Sequence, residues 1–326
     1  MKRLFESVAY ALLLVWVVPS FILSFYSMKQ LVHTQDKQPE NTEQVNSVPS
    51  DQGVVNLLYN DEIVSVSWEE YLTGVLLSEM PSSFHDEAKK AQAVIARTYA
   101  LKIMKLGYKH PQGAICGNPN CCQGYFPIEK YMEKYANASD VEGARAAVKE
   151  TSGLVVVYNG DLIDATYFSC SGGRTENAVA VWGTDIPYLQ TVISPGEESA
   201  AVYTDTVSFT PEAFLRLLGI SLPGSASAWF GPPEYTEGGG VKSIQIGGVA
   251  YAGTDLRMKL GLRSTAFTVE ADDHLIRFHT KGFGHRVGMS QYGADAMGRS
   301  GYDFMRIIKH YYQGVEIVRS DSVVDD

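Results

Sequence analysis

Three of the four cysteines crowd one short segment, and a histidine lies just before them. His110, Cys116 and Cys122 follow one another at intervals of six residues, and Cys121 adds a third thiol to the segment. Thiolate and imidazole groups suit tetrahedral Zn²⁺, and a loop without its own core gains stability from such a clip. Cysteine-rich zinc sites are usually structural. A Cys116–Cys122 disulfide is the alternative outside the cytoplasm, although it leaves an odd thiol.

Glu79 is a second candidate, because it lies beside a break between two helices. Ser67 and Glu70 have capping-box spacing, which predicts the start of the first helix. Pro81 disfavours helical geometry in the residue before it, so this helix ends near Met80. The partial negative charge at a helix C-terminus would raise the pKa of Glu79.

The glycine-rich segment 282–294 has a composition that allows close backbone approach by a ligand or a neighbouring strand. It lacks the strand–loop–helix context of a nucleotide site. His285, Gln291 and Tyr292 are candidate lining residues. Ser171 is not flanked by the glycines of a G-x-S-x-G motif, which argues against a serine hydrolase.

The elements that must position these residues alternate between helices and hairpins. Ser82 or Ser83 is predicted to cap the second helix, with Asp86 and Glu87 in its first turn. Hairpins are predicted around residues 60–61, 159–160 and 247–248, the second with a long returning strand over 162–169. Helices are also predicted over residues 139–150, 211–218, 254–260 and 304–312. The irregular alternation predicts an α+β fold rather than a parallel sheet.

The N-terminus predicts a membrane anchor. Residues 7–28 carry no charge, and a helix of this length would span roughly 33 Å. We therefore expect a cytoplasmic segment 1–6, a transmembrane anchor 7–28, a flexible polar linker 29–52 and an extracytoplasmic catalytic domain 53–326. A cleaved signal peptide is the competing interpretation of the apolar stretch.

The chain of 326 residues has a net charge of −10 without long blocks of like charge. Nucleic-acid binding needs a basic surface, so the charge argues against a nucleic-acid partner. Neutral or partly cationic partners fit this composition better.

Taken in order, these motifs resemble the stage II sporulation protein D family. The resemblance covers essentially all of residues 53–317. It is carried by segments 74–81, 88–99, 169–175, 182–189, 253–257 and 282–294, and by His110, Cys116, Cys122 and Gln123.

The resemblance implies a lytic transglycosylase that cleaves peptidoglycan glycan strands in an endospore-forming bacterium. It implies Glu79 as the catalytic acid/base, a structural zinc on His110, Cys116 and Cys122, and Cys121 as a candidate fourth ligand. It also implies attachment to the mother-cell membrane facing the forespore during engulfment. The implied membrane partners are stage II sporulation proteins P and M, of which the former removes stem peptides and leaves denuded glycan.

One carboxylate suffices for such a reaction. Hydrolytic glycosidases normally need two carboxylates, whereas in lytic transglycosylation the 6-hydroxyl of the sugar attacks its own anomeric carbon. Lys90 and Arg97, seven residues apart on the second helix, are predicted to line the glycan cleft with Gln291 and Tyr292. Ser171 and His285 complete the set of candidate substrate-binding residues.

Two alternatives stay open. The first is a zinc amidase or peptidase that uses His110 and the cysteines as catalytic ligands. The second is a scaffold or amidase activator without enzymatic activity. The masses of the products from digested glycan distinguish a transglycosylase from the first alternative. A Glu79→Gln substitution that leaves the protein's function unchanged would favour the second.

Overall fold

The computed structural model describes residues 53–107 and 109–323. The predicted segment 1–6, anchor 7–28 and linker 29–52 lie outside the described residues. Within the described ranges, no helix is both long and apolar enough to cross a bilayer.

The described chain mixes helices with mostly antiparallel strands, which confirms the predicted α+β class. The helices are α1 (Trp68–Glu79), α2 (Asp86–Leu106), α3 (Ile128–Tyr135), α4 (Ala138–Glu150), α5 (Ala178–Trp182), α6 (Pro211–Leu218), α7 (Gly253–Leu260), α8 (Gln291–Arg299) and α9 (Phe304–Tyr311). The strands are β1 (Val54–Tyr59), β2 (Glu62–Ser67), β3 (Ile115–Cys116), β4 (Leu154–Tyr158), β5 (Asp161–Leu162), β6 (Tyr167–Phe168), β7 (Thr204–Phe209), β8 (Glu234–Tyr235), β9 (Val241–Ile246), β10 (Val249–Ala252), β11 (Phe267–Ala271), β12 (Ile276–Lys281), β13 (Met289–Ser290) and β14 (Glu316–Arg319).

The strands form several small sheets. Their orders are β2-β1-β3, β14-β4-β5, β10-β9-β8 and β11-β12-β7, and β6 pairs with β13. The β1–β3 and β6–β13 pairs are parallel, and the others are antiparallel. The β6–β13 pair places Tyr167 of β6 close to Gln291, which follows β13, and both residues line a cavity with Glu79.

The predicted hairpin turns are confirmed, with one correction. Asn60 and Asp61 have φ values of 51° and 65°, as a two-residue turn with positive φ at both positions requires. Asn159-Gly160 also turns the chain, but β5 ends at Leu162. The long returning strand predicted over 162–169 is wrong, because the chain leaves this sheet and forms β6 in another.

The two helices around Glu79 start where specific side chains cap them. The Ser67 hydroxyl accepts a hydrogen bond from the Glu70 N–H at 3.1 Å, which confirms the predicted cap of α1. The predicted Ser82 or Ser83 cap of α2 is wrong. His85 caps α2 instead, with its Nδ1 3.3 Å from the Glu87 N–H, and its own N–H donates to Asp295 of α8 at 2.6 Å.

Helix α2 lies between two apolar cores. Ala88 and Val94 belong to a core shared with α8 and α9, whereas Ala96 and Ala100 belong to a core shared with α1, β1 and β4. A third core, made by α6, α7, β9, β11 and β12, holds the segment between β7 and β12 together. Burial on two sides makes α2 a rigid support for the segment that precedes it, which includes Glu79.

Candidate active site

Glu79 is the last residue of α1, and a backbone amide from a distant segment holds its carboxylate. Met80 leaves the helix with extended angles, φ −117° and ψ 128°, as expected before Pro81. The Gly124 N–H donates to Glu79 Oε1 at 2.7 Å. The proline thus sets where the helix ends, and the hydrogen bond orients the carboxylate at that end.

The close approach of this segment depends on two glycines. A Cβ at Gly124 would lie 2.8 Å from Glu79 Oε1, a distance that real Cβ atoms do not show. A Cβ at Gly74 of α1 would collide with the Tyr125 ring. The Phe126 N–H also donates to the Gly74 carbonyl at 3.0 Å. Residues 124–126 are therefore seated directly on α1, beside the carboxylate.

A tyrosine and a glutamine form the other support of Glu79. The Tyr167 hydroxyl interacts with the Glu79 carboxylate. It also donates a hydrogen bond to Gln123 Oε1, at 3.2 Å. The Gln123 amide donates to the Ala96 carbonyl of α2 at 3.1 Å. Burial raises the pKa of Tyr167 well above its usual value, so this hydroxyl keeps its proton.

The environment of Glu79 raises the pKa of its carboxyl. Burial is the largest cause, and the hydrogen bond from Gly124 and the interactions with Gln291 and Tyr167 act in the opposite direction. The direction agrees with the sequence-based prediction, but the main cause is burial rather than the helix C-terminus. A larger fraction of Glu79 is therefore protonated near neutral pH than of an exposed glutamate.

Two cavities meet at Glu79, and together they form what we call the cleft. One, of about 350 Å³, lies beside α3, and the other, of about 420 Å³, extends toward α7. Residues that line both are Glu79, Ser169 and Gln291. No other aspartate or glutamate is among the described residues that line either cavity. The carboxylate is thus placed where a long ligand would pass from one cavity to the other.

Aromatic rings are exposed along both halves of the cleft. Tyr135 lines the smaller cavity and is 50% exposed, and Phe283 lines the larger one and is 40% exposed. Trp182 is 43% exposed, and its ring centroid lies 5.5 Å from that of His285, which lines the larger cavity. Exposed rings of this kind offer apolar faces against which a sugar ring can stack.

Gln291 and Tyr292, both predicted as lining residues, do line the cleft. Gln291 borders both cavities, and its Nε2 is buried without a hydrogen-bond partner of good geometry in the described structure. Tyr292 borders the smaller cavity and packs edge-to-face on Phe84, with ring centroids 4.8 Å apart. The Gln291 amide still lies near enough to Glu79 to lower the pKa of that carboxyl, so it is placed between the carboxylate and a ligand in the cleft.

His285 also lines the larger cavity, as predicted. Its Nδ1 accepts a hydrogen bond from the Val287 N–H at 3.1 Å. Burial, helped by the nearby positive charge of Arg257, lowers the pKa of His285 to about 4. The ring is therefore neutral at physiological pH, and its proton is on Nε2.

Lys90 and Arg97 do not line the cleft, so their predicted placement is wrong. Arg97 is fully buried, and its guanidinium donates to the carbonyls of Leu154 and Val148, both at 3.3 Å. The Lys90 ammonium forms ion pairs with carboxylates of α2 and α4 at 2.9 and 2.6 Å. Both cations join α2 to the elements around it.

Ser171 is likewise buried away from both cavities. Its hydroxyl donates to Glu197 at 2.6 Å, and Glu197 also accepts from Ser194 at 2.8 Å and from Ser290. Ser290 caps α8. Glu197 thus anchors the start of the helix that carries Gln291, and Ser171 acts in positioning rather than by lining the cleft.

The predicted metal ligands come together. One donor atom from each of His110, Cys116, Cys121 and Cys122 lies within 4.8 Å of the others, and none of the cysteines forms a disulfide. His110 Nε2 is 3.4 Å from Cys121 Sγ and 3.5 Å from Cys122 Sγ, and the two sulfurs are 3.9 Å apart. Tetrahedral zinc would set these separations at about 3.5 Å and about 3.8 Å. The donor set therefore fits Zn²⁺ with four protein ligands.

The loop that carries the four candidate metal ligands runs directly into the candidate active site. Cys122 lines the larger cavity, the next residue, Gln123, binds the Tyr167 hydroxyl, and Gly124 donates to Glu79. A metal that fixes Cys122 would therefore also fix two groups that orient the carboxylate.

Some residues of the site were not predicted from the sequence. Tyr167 and Arg257 line the larger cavity, and Glu197 braces α8. No local pattern marks Tyr167 or Glu197, because their partners are distant in the chain. Gln123 and Arg257 lie inside segments that carried the family resemblance, which was the available signal.

Comparison with known proteins places this chain among sporulation proteins. A family model described as stage II sporulation protein matches residues 59–158, which include Glu79 and all four candidate metal ligands. The stage II sporulation protein D of Bacillus subtilis (strain 168) is 37% identical over 270 residues, covering 82% of this chain and 78% of that protein. The protein of the same name from Bacillus amyloliquefaciens is 36% identical over 293 residues, covering 89% and 83%.

A more distant relative carries another name. The amidase enhancer of Bacillus subtilis (strain 168) is 29% identical over 301 residues, which cover 76% of this chain and 40% of that protein. The two sporulation proteins match this chain over most of their own length and at higher identity. The chain therefore belongs to the stage II sporulation protein D family.

Proposed function

We propose that this protein is a lytic transglycosylase that cleaves denuded glycan strands of peptidoglycan. Membership of a sporulation family and similarity to an amidase enhancer support a cell-wall role in sporulation. Among the described residues that line the cleft, Glu79 is the only carboxylate, and this supports transglycosylation over hydrolysis. Hydrolysis of a glycosidic bond normally needs two carboxylates about 5–9.5 Å apart.

A single carboxyl group can perform the whole transglycosylation. Protonated Glu79 gives its proton to the glycosidic oxygen as the bond from that oxygen to the anomeric carbon breaks. The 6-hydroxyl of the same sugar then attacks the anomeric carbon and returns its proton to Glu79, leaving a 1,6-anhydro ring. The first step requires the protonated acid, which the raised pKa of Glu79 favours.

The surroundings of Glu79 supply orientation. Gly124 and Tyr167 hold the carboxyl group, and the Gln291 amide, which lies beside that carboxyl group, borders both halves of the cleft. The exposed rings of Tyr135 and Phe283 support sugar binding on either side of the cleaved bond.

We also propose a structural Zn²⁺ on His110, Cys116, Cys121 and Cys122. Four protein ligands leave no open position for water or substrate, which is typical of structural rather than catalytic zinc. When bound, the metal would clip the loop that leads to Gly124. The same closed donor set weighs against a zinc amidase or peptidase.

Membership of the family also suggests where the protein acts and with which partners. The protein would be held at the mother-cell membrane by residues 7–28, with its catalytic domain facing the space next to the forespore. Its partners there would be stage II sporulation proteins P and M.

Digestion of purified denuded glycan tests the proposal. The wild-type protein should give fragments with 1,6-anhydro ends, each lighter by one water than a reducing end, and Glu79→Gln should lower the rate by about 10²-fold or more. New reducing ends would contradict the proposal.

The name of the amidase-enhancer relative favours one second candidate, a non-enzymatic activator. In that case the glycan stays uncut, while added amidase is stimulated equally by wild type and Glu79→Gln.

A further inference from the structure

Arg257 is a cation in the cleft without an anionic partner. It lies on α7 and lines the larger cavity together with Glu79 and His285. Its Nε donates to the Arg263 carbonyl at 3.3 Å, and neither of its terminal nitrogens has a hydrogen-bond partner in the described ranges. No carboxylate of the described structure lies within ion-pair distance of it.

Two other arginines of this region, one fully buried and one half-buried, are paired with carboxylates. Arg286 lies 3.2 Å from Glu176, and Arg263 lies 3.3 Å from Asp205. Arg257 is half-buried, and this loss of hydration lowers the pKa of its guanidinium. A partly desolvated guanidinium without a counter-ion is unfavourable, so an anion that enters the cavity gains from pairing with it.

The geometry of the group favours a carboxylate. With Nε already used, the two terminal nitrogens present a parallel pair of donors, which matches the two oxygens of a carboxylate. His285 is neutral with its proton on Nε2, and it borders the same cavity. Arg257 is the only cation among the described residues that line the cleft at neutral pH.

We propose that Arg257 binds the free lactyl carboxylate of a muramic acid residue and thereby selects glycan from which the stem peptides have been removed. This inference rests on the proposed function. In peptidoglycan that carries stem peptides, the lactyl carbonyl is a neutral amide, and the remaining groups of the sugars are hydroxyls and acetamides. Hydrolysis of that amide creates the single anionic group of each disaccharide. The reaction that supplies the substrate is therefore an amidase reaction at the lactyl group.

The test compares two forms of one glycan preparation. Denuded strands are used either with free lactyl carboxylates or after these are coupled to methylamine, which removes the charge and adds little bulk. The wild-type protein should have a kcat/KM about tenfold or more higher for the free carboxylate. Arg257→Gln should lower kcat/KM for the free form and remove the preference, and Arg257→Lys should keep part of it. Arg277→Gln, which removes a paired arginine outside the cleft, should behave as wild type.

A binding arm separates this proposal from the proposed activity. Glu79→Gln, alone or combined with Arg257→Gln, is titrated with both glycan forms under conditions without cleavage. Stronger binding of the free form that depends on Arg257 supports the inference even if wild type cuts neither form. If folded Arg257→Gln protein keeps the wild-type preference in cleavage, or if binding shows no preference that depends on Arg257, the inference is wrong.

Discussion

The Gly124 N–H lies 2.7 Å from Glu79 Oε1, and this contact connects the metal-ligand loop to the carboxylate. Gly124 is two residues after Cys122, and between them Gln123 binds the hydroxyl of Tyr167. The loop has little regular structure of its own beyond a short 3-10 helix at Pro111–Gly113 and the two residues of β3. The order of the active site therefore depends on what holds this loop.

Removing the proposed zinc should weaken both stability and activity. We expect Cys116→Ser protein, or wild type treated with a chelator, to lose bound zinc, to unfold at a lower temperature and to cleave glycan at least about tenfold more slowly, because the orientation of Glu79 is lost. Metal analysis, thermal unfolding and a cleavage assay on the same samples measure these changes. Zinc-free protein with unchanged unfolding temperature and activity would contradict the structural role.

Gly124→Ala should reduce activity more than stability. The added Cβ would lie 2.5 Å from Ser78 Oγ and 2.8 Å from Glu79 Oε1, so these side chains or the loop must move. We expect kcat to fall about 10- to 100-fold, since small displacements of catalytic groups have effects of this size. Gly143→Ala in α4 is the matched control, because its Cβ would meet only the end of a flexible lysine at 3.8 Å. Equal activity of the two variants would show that the close approach of Gly124 is not needed.

Tyr167→Phe should shift the pH dependence of cleavage. The Tyr167 interaction lowers the pKa of Glu79, so its loss raises that pKa further. Because the first step of the proposed reaction needs protonated Glu79, the alkaline fall in kcat/KM should move to higher pH. Gln123 Oε1 also loses its donor, which should cost about 1–3 kcal/mol of folding free energy. A shift of the alkaline limb to lower pH, measured on folded protein, would show that the assignment is wrong.

Glu79→Gln should stabilise the folded protein at neutral pH. Burial raises the pKa of Glu79 in the folded state, so the folded protein binds this proton more tightly than the unfolded chain. The resulting stability is present below the unfolded pKa of about 4.3 and is lost as pH rises through the folded pKa. The neutral amide avoids that loss. Thermal unfolding should therefore show a gain over wild type near pH 7 that shrinks toward pH 4, whereas Glu142→Gln on the exposed face of α4 should show no such trend.

The sequence predicted the parts of the site that depend on local chemistry. Pro81 placed Glu79 at a helix end, and the spacing of His110, Cys116 and Cys122 predicted a cluster that the structure brings together. Segment 282–294 supplied Gln291, which lines both cavities.

The sequence could not predict what depends on distant packing. Arg97 shares the apolar surroundings of α2, so its guanidinium is buried against backbone carbonyls instead of facing the cleft. Tyr167 reaches Glu79 only because β6 pairs with β13, far along the chain. His85 caps α2 in place of a serine because Asp295 holds its backbone. Each of these outcomes is set by tertiary contacts rather than by propensity.

In the proposed reaction, Glu79 acts as the acid/base for attack on the anomeric carbon by the sugar's own 6-hydroxyl and not by water. Digestion of denuded glycan in water labelled with heavy oxygen, followed by mass spectrometry of the new ends, tests this most directly. Attack by the 6-hydroxyl should give anhydro ends without label, abundant with wild type and strongly reduced with Glu79→Gln. Heavy oxygen at the anomeric carbon of freshly cut ends would contradict it.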